Sequence, residues 1–94
     1  MAVLMELEVQ STKEQYDAID NALDVRGNPP DGFIAHSAED RGGTMYIRDL
    51  WESADAFGQF AESRLGPTIA QVMGDDAPPA PEPKFTELHN AYHA

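Results

Sequence analysis

The order of strand-like and helix-like segments constrains the fold of this chain more than any other feature of its sequence. Residues 2–9 alternate apolar and polar side chains with a period of two, which is typical of a half-buried strand. A helical pattern follows, then two strand-like segments joined by a glycine turn, a second helical pattern and a last strand-like segment. This β-α-β-β-α-β order predicts a ferredoxin-like α+β domain, in which an antiparallel four-stranded sheet carries both helices on one face.

Capping residues and glycines predict where the helices begin and end. Ser11 opens a capping box with Glu14, and the first helix is expected to end at Arg26-Gly27. Ser53 caps the second helix, which Gly66-Pro67 should interrupt. The predicted strands cover residues 2–9, 33–38, 44–51 and 84–92.

The length of the chain, 94 residues, predicts a single domain over residues 1–94. Within it, the sequence DDAPPAPEP at residues 75–83 predicts a proline-stiffened connector. The chain has no cysteine, so neither a disulfide framework nor a thiol nucleophile is available. No stretch approaches the roughly 18 apolar residues of a membrane span, and the first residues lack the pattern of a signal peptide. A cytoplasmic protein is therefore predicted.

The charge of the chain argues against two classes of partner. Seventeen acidic and six basic residues give a net charge of −11, which a phosphate backbone or an anionic membrane would repel. The lysines and arginines are also scattered singly rather than clustered. We therefore expect no nucleic-acid and no membrane partner, and interpret the acidity as a contribution to solubility.

The strands carry large apolar side chains on both faces, which a sheet with one face open to water should not do. Leu4 lies opposite Met5, Tyr46 opposite Ile47, and Leu88 opposite His89. Burying both faces requires a second layer, and an identical chain can supply it. We therefore predict a homodimer that pairs through its sheet face and encloses a partly polar interior between the two sheets.

Two segments resemble a known family. Leu-Trp-Glu-Ser followed by Ala-Asp-Ala-Phe and an amphipathic helix, residues 50–60, resembles the dimeric α/β-barrel superfamily, and within it the antibiotic-biosynthesis-monooxygenase-like domains. Pro30-Asp31-Gly32-Phe33 is similar to the Pro-Gly-Phe turn of that family, with Asp31 inserted. Members include cofactor-free oxygenases of phenolic polyketides, haem-degrading enzymes, cyclases, isomerases and proteins without known activity, so the fold leaves the function open.

The resemblance implies a small-molecule enzyme that needs no cofactor. It would be a cofactor-independent monooxygenase, or a cyclase or isomerase, acting on a phenolic or enolisable compound in the pocket between the sheets. Haem-degrading members carry a haem-ligating histidine where this chain has Ala61, so haem is not expected. The alternative is a non-catalytic homodimer that binds a metabolite or a partner protein.

Two of the three histidines are candidates for a catalytic base. His36 lies in the middle of a predicted strand, where it is either a general base in the pocket or a hydrogen-bonded structural residue. His89 has the same two interpretations. His89 and His93 have the H-x-x-x-H spacing of metal ligands on a helix, but on a strand that spacing separates them by roughly 13 Å. No metal site is therefore predicted.

Four further side chains are predicted to lie at the pocket or its rim, on the polar face of the strands. Glu6 and Glu8 lie opposite the apolar face of the first strand, and Arg48 is the expected partner for their carboxylates. This ion pair would either bind substrate or simply orient the dimer. Tyr46 shares a face with Arg48 and would either hold a phenolic substrate or serve as plain core.

The orientation of Trp51 is left open by the sequence. Strict alternation places it with Ile47 and Asp49, on the face opposite Tyr46, where it would fill the space between the sheet and the second helix. The family resemblance implies instead that Trp51 is a wall of the pocket. A β-bulge near Asp49 would reconcile the two interpretations.

Overall fold

The computed structural model describes residues 2–76 and 81–90, which form one antiparallel sheet covered on one face by helices. The order of the strands across the sheet is β2-β3-β1-β4, and every neighbouring pair is antiparallel. The predicted ferredoxin-like α+β fold is confirmed. The elements are β1 (Val3–Gln10), α1 (Lys13–Leu23), β2 (Phe33–Asp40), β3 (Thr44–Trp51), α2 (Ala54–Phe60), α3 (Gly66–Met73) and β4 (Lys84–Glu87).

Helix α1 begins one residue later than the predicted capping box. Thr12, not Ser11, is its N-cap, and the Thr12 hydroxyl accepts a hydrogen bond from the backbone N–H of Gln15 at 3.1 Å. The Gln15 side chain in turn accepts from the backbone N–H of Thr12 at 3.0 Å, so Gln15 takes the role predicted for Glu14. Ser11 is buried instead, and its hydroxyl donates to the carbonyl of Thr12.

Helix α1 also ends earlier than the predicted Arg26-Gly27. Its last residue is Leu23, because Asp24 adopts the left-handed conformation with φ 50° and ψ 49°. The backbone N–H of Asp24 still bonds to the carbonyl of Asp20 at 3.1 Å. Aspartate is one of the few residues that tolerates this conformation, so it can end a helix where glycine usually does.

The second helix continues past Gly66-Pro67, which was predicted to interrupt it. It widens into a π-helical turn, Ala61–Leu65, between α2 and α3, and Pro67 lies in the first turn of α3. Proline has no N–H to bond one turn back, and the wider turn accommodates this loss. Arg64, within the π turn, donates to the carbonyl oxygens of Leu23 at 2.8 Å and Asn28 at 2.9 Å, and so ties the turn to the end of α1.

The sheet has a helical face, which α1, α2 and α3 cover, and an open face. Met5 and Trp51 on the helical face are each only 1% exposed. They pack with α2 into a compact core at one end of the sheet. The buried core residues are Met5, Leu7, Trp51, Phe57 and Phe60. Alternation places Leu4, Glu6, Tyr46, Arg48 and Leu50 on the open face.

A β-bulge in β2 decides which side chains that strand directs toward the helices. The pairing of β2 with β3 shifts between Phe33 and Ala35, so Phe33 pairs with Trp51 while His36 pairs with Asp49. Phe33 and His36 therefore share the helical face although they are three residues apart. Without the extra residue, strict alternation would direct His36 to the open face.

The last strand is shorter than predicted. β4 covers Lys84–Glu87 rather than 84–92, and residues 91–92 lie outside the described residues. Of the predicted connector 75–83, residues 77–80 also lie outside them, while Gly74–Asp76 form a 3₁₀ turn. His89 therefore follows the end of the strand instead of lying within it.

Candidate active site

A cavity of about 1040 Å³ lies between the helical face of the sheet and helices α1 and α3. Neither of these helices has a buried residue, because their apolar side chains border this space instead of filling a core. A cavity of this size and apolar character is typical of a site for a small organic molecule. Its apolar walls include Leu7, Val9, Ile19, Ile47, Ile69 and Met73.

The cavity lies on the opposite side of the sheet from the pocket that the sequence predicted. The prediction placed the pocket between the sheets of two subunits, because the strands are apolar on both faces. This cavity is bordered by residues of one chain, beneath its own helices. The pocket between two subunits stays a prediction.

Four polar side chains on one wall of the cavity form a continuous chain of hydrogen bonds, which we call the tetrad: Tyr16, His36, Asp49 and Trp51. The Tyr16 hydroxyl lies 2.5 Å from Nε2 of His36. Nδ1 of His36 lies 2.6 Å from Oδ1 of Asp49. The indole Nε1 of Trp51 donates to Oδ2 of Asp49 at 3.1 Å. Both ring nitrogens of His36 and both carboxylate oxygens of Asp49 thus have a hydrogen-bond partner.

Three secondary-structure elements bring the tetrad together. Asp49 and Trp51 lie two residues apart on β3, so alternation directs both to the helical face. The β2 bulge places His36 directly opposite Asp49. Tyr16, in the first turns of α1, lies above His36 with the two rings nearly parallel and their centroids 6.1 Å apart.

The hydrogen bond to Asp49 raises the pKa of His36 above its ordinary value, and this effect exceeds the opposing effect of burial. Asp49 itself is buried, with 6% of its surface exposed, whereas about a third of the His36 side chain is exposed. A carboxylate at Nδ1 favours the tautomer that carries its proton there. Nε2 of neutral His36 is therefore a proton acceptor, and the acceptor is directed at the Tyr16 hydroxyl.

The pKa of Tyr16 is raised to about 12, first by burial and then by the charges of Asp20, Asp49 and Asp17. The phenol therefore stays protonated at neutral pH. When His36 is neutral, the Tyr16 hydroxyl donates to Nε2 and its oxygen can accept a proton from a ligand. When His36 is protonated, Nε2–H donates to Tyr16, whose own proton is then available to a ligand oxygen.

Of the predicted pocket residues, Glu6, Tyr46 and Arg48 form a cluster on the open face, away from the cavity. Tyr46 donates a hydrogen bond to Glu6, and the Arg48 guanidinium lies 4.9 Å from the centre of the Tyr46 ring. Arg48 was the expected partner for Glu6, but in the structure Glu6 accepts a hydrogen bond from the Tyr46 hydroxyl instead. The structure thus brings these three residues together, but outside the cavity that contains His36.

His89, the second predicted base, is exposed and follows the end of β4, and it does not border the cavity. The structure therefore does not bring it near His36. His93 lies outside the described residues, so the predicted lack of a shared metal site with His89 stays a prediction.

Both interpretations of Trp51 describe part of its position. It lies on the same face as Asp49, as strict alternation predicts. The β1–β3 register runs without a shift, so β3 itself has no bulge near Asp49, and the bulge lies in the neighbouring strand β2, opposite Leu50 and Trp51. The Trp51 ring packs against Phe57 and Phe60 of α2, with ring centroids 5.5 and 5.4 Å away. It also borders the cavity, because the helical face is the face that carries the cavity.

Sequence reasoning missed two members of the tetrad. Tyr16 falls on one helical face with Ile19 and Leu23, and nothing in this spacing distinguishes it from a core residue. Asp49 could have been found, because alternation places its carboxylate between Ile47 and Trp51 on an otherwise apolar face. A carboxylate in such a position needs a partner, and a histidine on the neighbouring strand is an obvious one.

Two observations bear on the predictions about metal and haem, both of which stay predictions. Within residues 2–76 and 81–90, no group of three or more His, Cys, Asp or Glu side chains could hold a metal ion. Ala61 borders the cavity with a methyl group, which has no ligand atom.

Within residues 2–76 and 81–90, no helix is both long and apolar enough to cross a membrane.

Comparison of the fold with solved structures finds close similarity at low sequence identity. A protein of unknown function from Nitrosomonas europaea, NE2512, is 15% identical with a TM-score of 0.71, over 99% of this chain and 94% of that one. A candidate antibiotic biosynthesis monooxygenase from Chloroflexus aurantiacus is 15% identical with a TM-score of 0.68, over 99% and 98%. SnoaB, a cofactor-independent oxygenase from Streptomyces nogalater, is 14% identical with a TM-score of 0.59, over 96% and 93%.

No protein-family model matches the chain, and no curated protein matches its sequence. The similarity to solved structures therefore identifies the fold: the chain has the fold of the antibiotic-biosynthesis-monooxygenase-like proteins, as its resemblance to that family implied.

Proposed function

We propose that this chain is a small-molecule enzyme of the antibiotic-biosynthesis-monooxygenase-like type, which removes a proton from a phenolic or enolisable compound in the cavity. The observation that carries this proposal is the tetrad, a buried carboxylate, an imidazole and a phenol in series at the wall of an apolar cavity. A histidine whose far nitrogen is held by a carboxylate is a common general base.

The proton would pass through Tyr16 to His36. The acidic proton of the substrate, on a phenol oxygen or on the carbon next to a carbonyl, moves to the Tyr16 oxygen as the Tyr16 proton moves to Nε2 of His36. The products of the step are a substrate oxyanion, a neutral Tyr16 that donates a hydrogen bond to it, and an imidazolium paired with Asp49. Trp51 holds the second oxygen of Asp49 and so keeps the carboxylate oriented toward His36.

Deprotonation of this kind is the step shared by several reactions found on this fold. If the proton returns to a different atom, the result is an isomerisation, and an internal carbon–carbon bond formation gives a cyclisation. If dioxygen takes electrons from the oxyanion, the result is an oxygenation without a cofactor. The similarity in fold to SnoaB, a cofactor-independent oxygenase, supports including oxygenation among the proposed reactions.

Replacing Tyr16 with phenylalanine should slow proton transfer by about 10²-fold, because the relay between substrate and His36 loses its hydroxyl. The test uses 1-tetralone as an enolisable probe and 2-naphthol as a phenolic one. Deuterium incorporation next to the carbonyl is followed by NMR, and dioxygen consumption is followed with an electrode.

The matched control is Tyr46→Phe, which removes a tyrosine hydroxyl from the open face and should leave both rates unchanged. Exchange that is equally fast in the Tyr16 and Tyr46 variants would rule out the relay. Binding of both probes without exchange or oxygen uptake would favour the non-catalytic alternative, a domain that binds a metabolite.

We also propose that two copies of the chain pair through the open face. Leu4 and Leu50 are paired directly across β1 and β3 on this face, and each is only half-buried in the single chain. The same face carries both signs of charge, with Arg48 beside the Glu6–Tyr46 pair. A surface that is apolar at some positions and carries both charges at others can be complementary to itself across a twofold axis.

Sedimentation equilibrium at micromolar concentration should therefore give about twice the 10.3 kDa mass of the chain. Leu4→Asp should shift the mass to that of the monomer, because a twofold axis places two new carboxylates in one interface. Val72→Asp is the matched control, since Val72 lies on α3, is 38% exposed and is far from the open face. A wild-type monomer, or a Leu4→Asp dimer as stable as the wild type, would contradict the proposal.

A further inference from the structure

We propose that Asp17 and Asp20 select the ligand of the cavity by charge, so that the site prefers an apolar compound with an amine and rejects one with a carboxylate. This inference rests on the proposed function only in requiring that a small molecule occupies the cavity. It adds the charge of that molecule, which neither the tetrad nor the fold specifies.

The charged side chains that border the cavity are mostly acidic. Asp17, Asp20 and Asp49 line it, and Arg26 is the single Lys or Arg among the described lining residues. Asp49 is already engaged by the tetrad. The two carboxylates that remain outnumber the one guanidinium.

Asp17 and Asp20 lie near the reacting groups because of helical spacing. Both are on α1, and Asp20 follows Tyr16 by four residues, which places the two side chains on the same side of the helix. Within the described part of the chain, no hydrogen bond or ion pair engages either carboxylate. Asp17 is exposed and Asp20 half-buried, so both carboxylates lie beside the cavity at its boundary with solvent.

The electrostatic field of these carboxylates reaches the tetrad. Asp20 raises the pKa of both Tyr16 and His36, and in each case its effect exceeds the opposite effect of Arg26. A carboxylate on the ligand would meet this negative potential as it approached Tyr16. The overall charge of −11 repels an anion at longer range as well.

The proposed chemistry gives a second reason for a cationic ligand. Proton removal leaves a negative oxygen beside Tyr16, and the charge of Asp20 opposes its formation. An ammonium group on the same ligand would be attracted to Asp20 and would also offset the charge of the new oxyanion. A carboxylate on the ligand would add a third negative charge to the same region.

The test compares three ligands that share one ring system and differ in charge: 1-naphthylmethylamine, 1-naphthalenemethanol and 1-naphthoate. Their affinities are measured by isothermal titration calorimetry at neutral pH and low ionic strength. We expect the amine to bind about tenfold more tightly than the alcohol, and the carboxylate about tenfold less tightly. Added salt should narrow these differences, because it screens charges near the surface.

Asp20→Asn should reduce the preference for amine over carboxylate by about three- to tenfold. Asp24→Asn is the matched control, because it makes the same chemical change one turn later on the chain, at a residue that does not border the cavity. Asparagine also tolerates the left-handed conformation of position 24. The control variant should keep the wild-type preference.

The outcomes separate this inference from the proposed function. Equal affinities for the three ligands, or a preference that Asp20→Asn leaves intact, would overturn the charge selection while the cavity remains a binding site. If the carboxylate binds most tightly and Arg26→Gln abolishes that binding, Arg26 is the selecting residue and the inference is wrong. If none of the ligands binds, both the inference and the proposed function fail.

Discussion

His36→Asn is expected to lower the rate constant for deuterium exchange into 1-tetralone by about 10²–10⁴-fold, the range usual for loss of a general base. The asparagine amide can still donate to Oδ1 of Asp49 from roughly the position of Nδ1, so the buried carboxylate keeps a partner. It has no group at the position of Nε2, where the proton would be received. The variant therefore removes the base with little change to the structure that holds it.

The control for this experiment is His89→Asn, which makes the same change at the exposed histidine beyond β4. It should leave the exchange rate unchanged. Because His89 was the second base predicted from the sequence, the pair of variants also decides between the two candidates. A loss of exchange in the His89 variant, with wild-type exchange in the His36 variant, would reverse the assignment.

The pH dependence of kcat/KM for the same reaction should show the direction in which the pKa of His36 is shifted. Only neutral His36 accepts a proton, so kcat/KM should rise with pH, and the rise should be centred above the ordinary pKa of about 6.5 because Asp49 raises the pKa of His36. Asp20 acts in the same direction and Arg26 in the opposite one. A rise centred below about 6.5 would show that another group is the base.

Trp51→Ala should lower the free energy of unfolding by about 3–5 kcal/mol, the largest stability effect expected for this chain. Trp51 is 1% exposed and packs edge-on against Phe33 and Phe57, at centroid distances of 5.5 Å in both cases. Its loss would leave a cavity in the core and one oxygen of Asp49 without a partner. Since domains of this kind are stable by about 5–15 kcal/mol, a loss of this size would bring a chain at the lower end of that range close to unfolding.

Trp51→Phe keeps the effect measurable, since it retains an aromatic ring and removes the N–H. We expect it to cost about 1–3 kcal/mol, because Oδ2 of buried Asp49 loses its donor. Trp51 is the only tryptophan, so unfolding in urea has to be followed by circular dichroism rather than fluorescence. Val72→Ala, at an exposed position of α3, should stay within about 0.5 kcal/mol of the wild type. Trp51→Ala with wild-type stability would show that Trp51 is not a core residue.

The sequence was sufficient to predict the fold because the signals for its elements are local. Period-two alternation identified β1, and the β-branched and aromatic residues of TMYIRDLW identified β3. Ser53 was correctly predicted as the N-cap of α2, where its hydroxyl accepts from the backbone N–H of Ala56. The start of α1 was missed by one residue, because Ser11 and Thr12 are both residue types that cap helices. Which of them caps the helix depends on tertiary structure, since Ser11 is buried where β1 ends.

The candidate site was only partly predictable, because its geometry depends on a one-residue shift in the pairing of β2 with β3. No characteristic amino-acid pattern marks this bulge, so nothing in the sequence of β2 shows that His36 faces the helices. The cavity on the helical face was not foreseen for a related reason, while the pocket predicted between two sheets stays a prediction. Tyr46 and Arg48 look like pocket residues in the sequence, but helices α1 and α3 stand away from the other face and leave the cavity there.

The π turn Ala61–Leu65 determines which side of α3 borders the cavity. A π turn carries one residue more than an α-helical turn, and one residue advances an α-helix by about 100°. Deleting one residue from the turn would rotate all of α3 by that angle about its axis. Ile69 and Met73 would then leave the cavity wall, and other side chains of α3 would replace them. A single insertion or deletion at this turn therefore offers a route by which chains of this fold can exchange one ligand shape for another without altering the sheet.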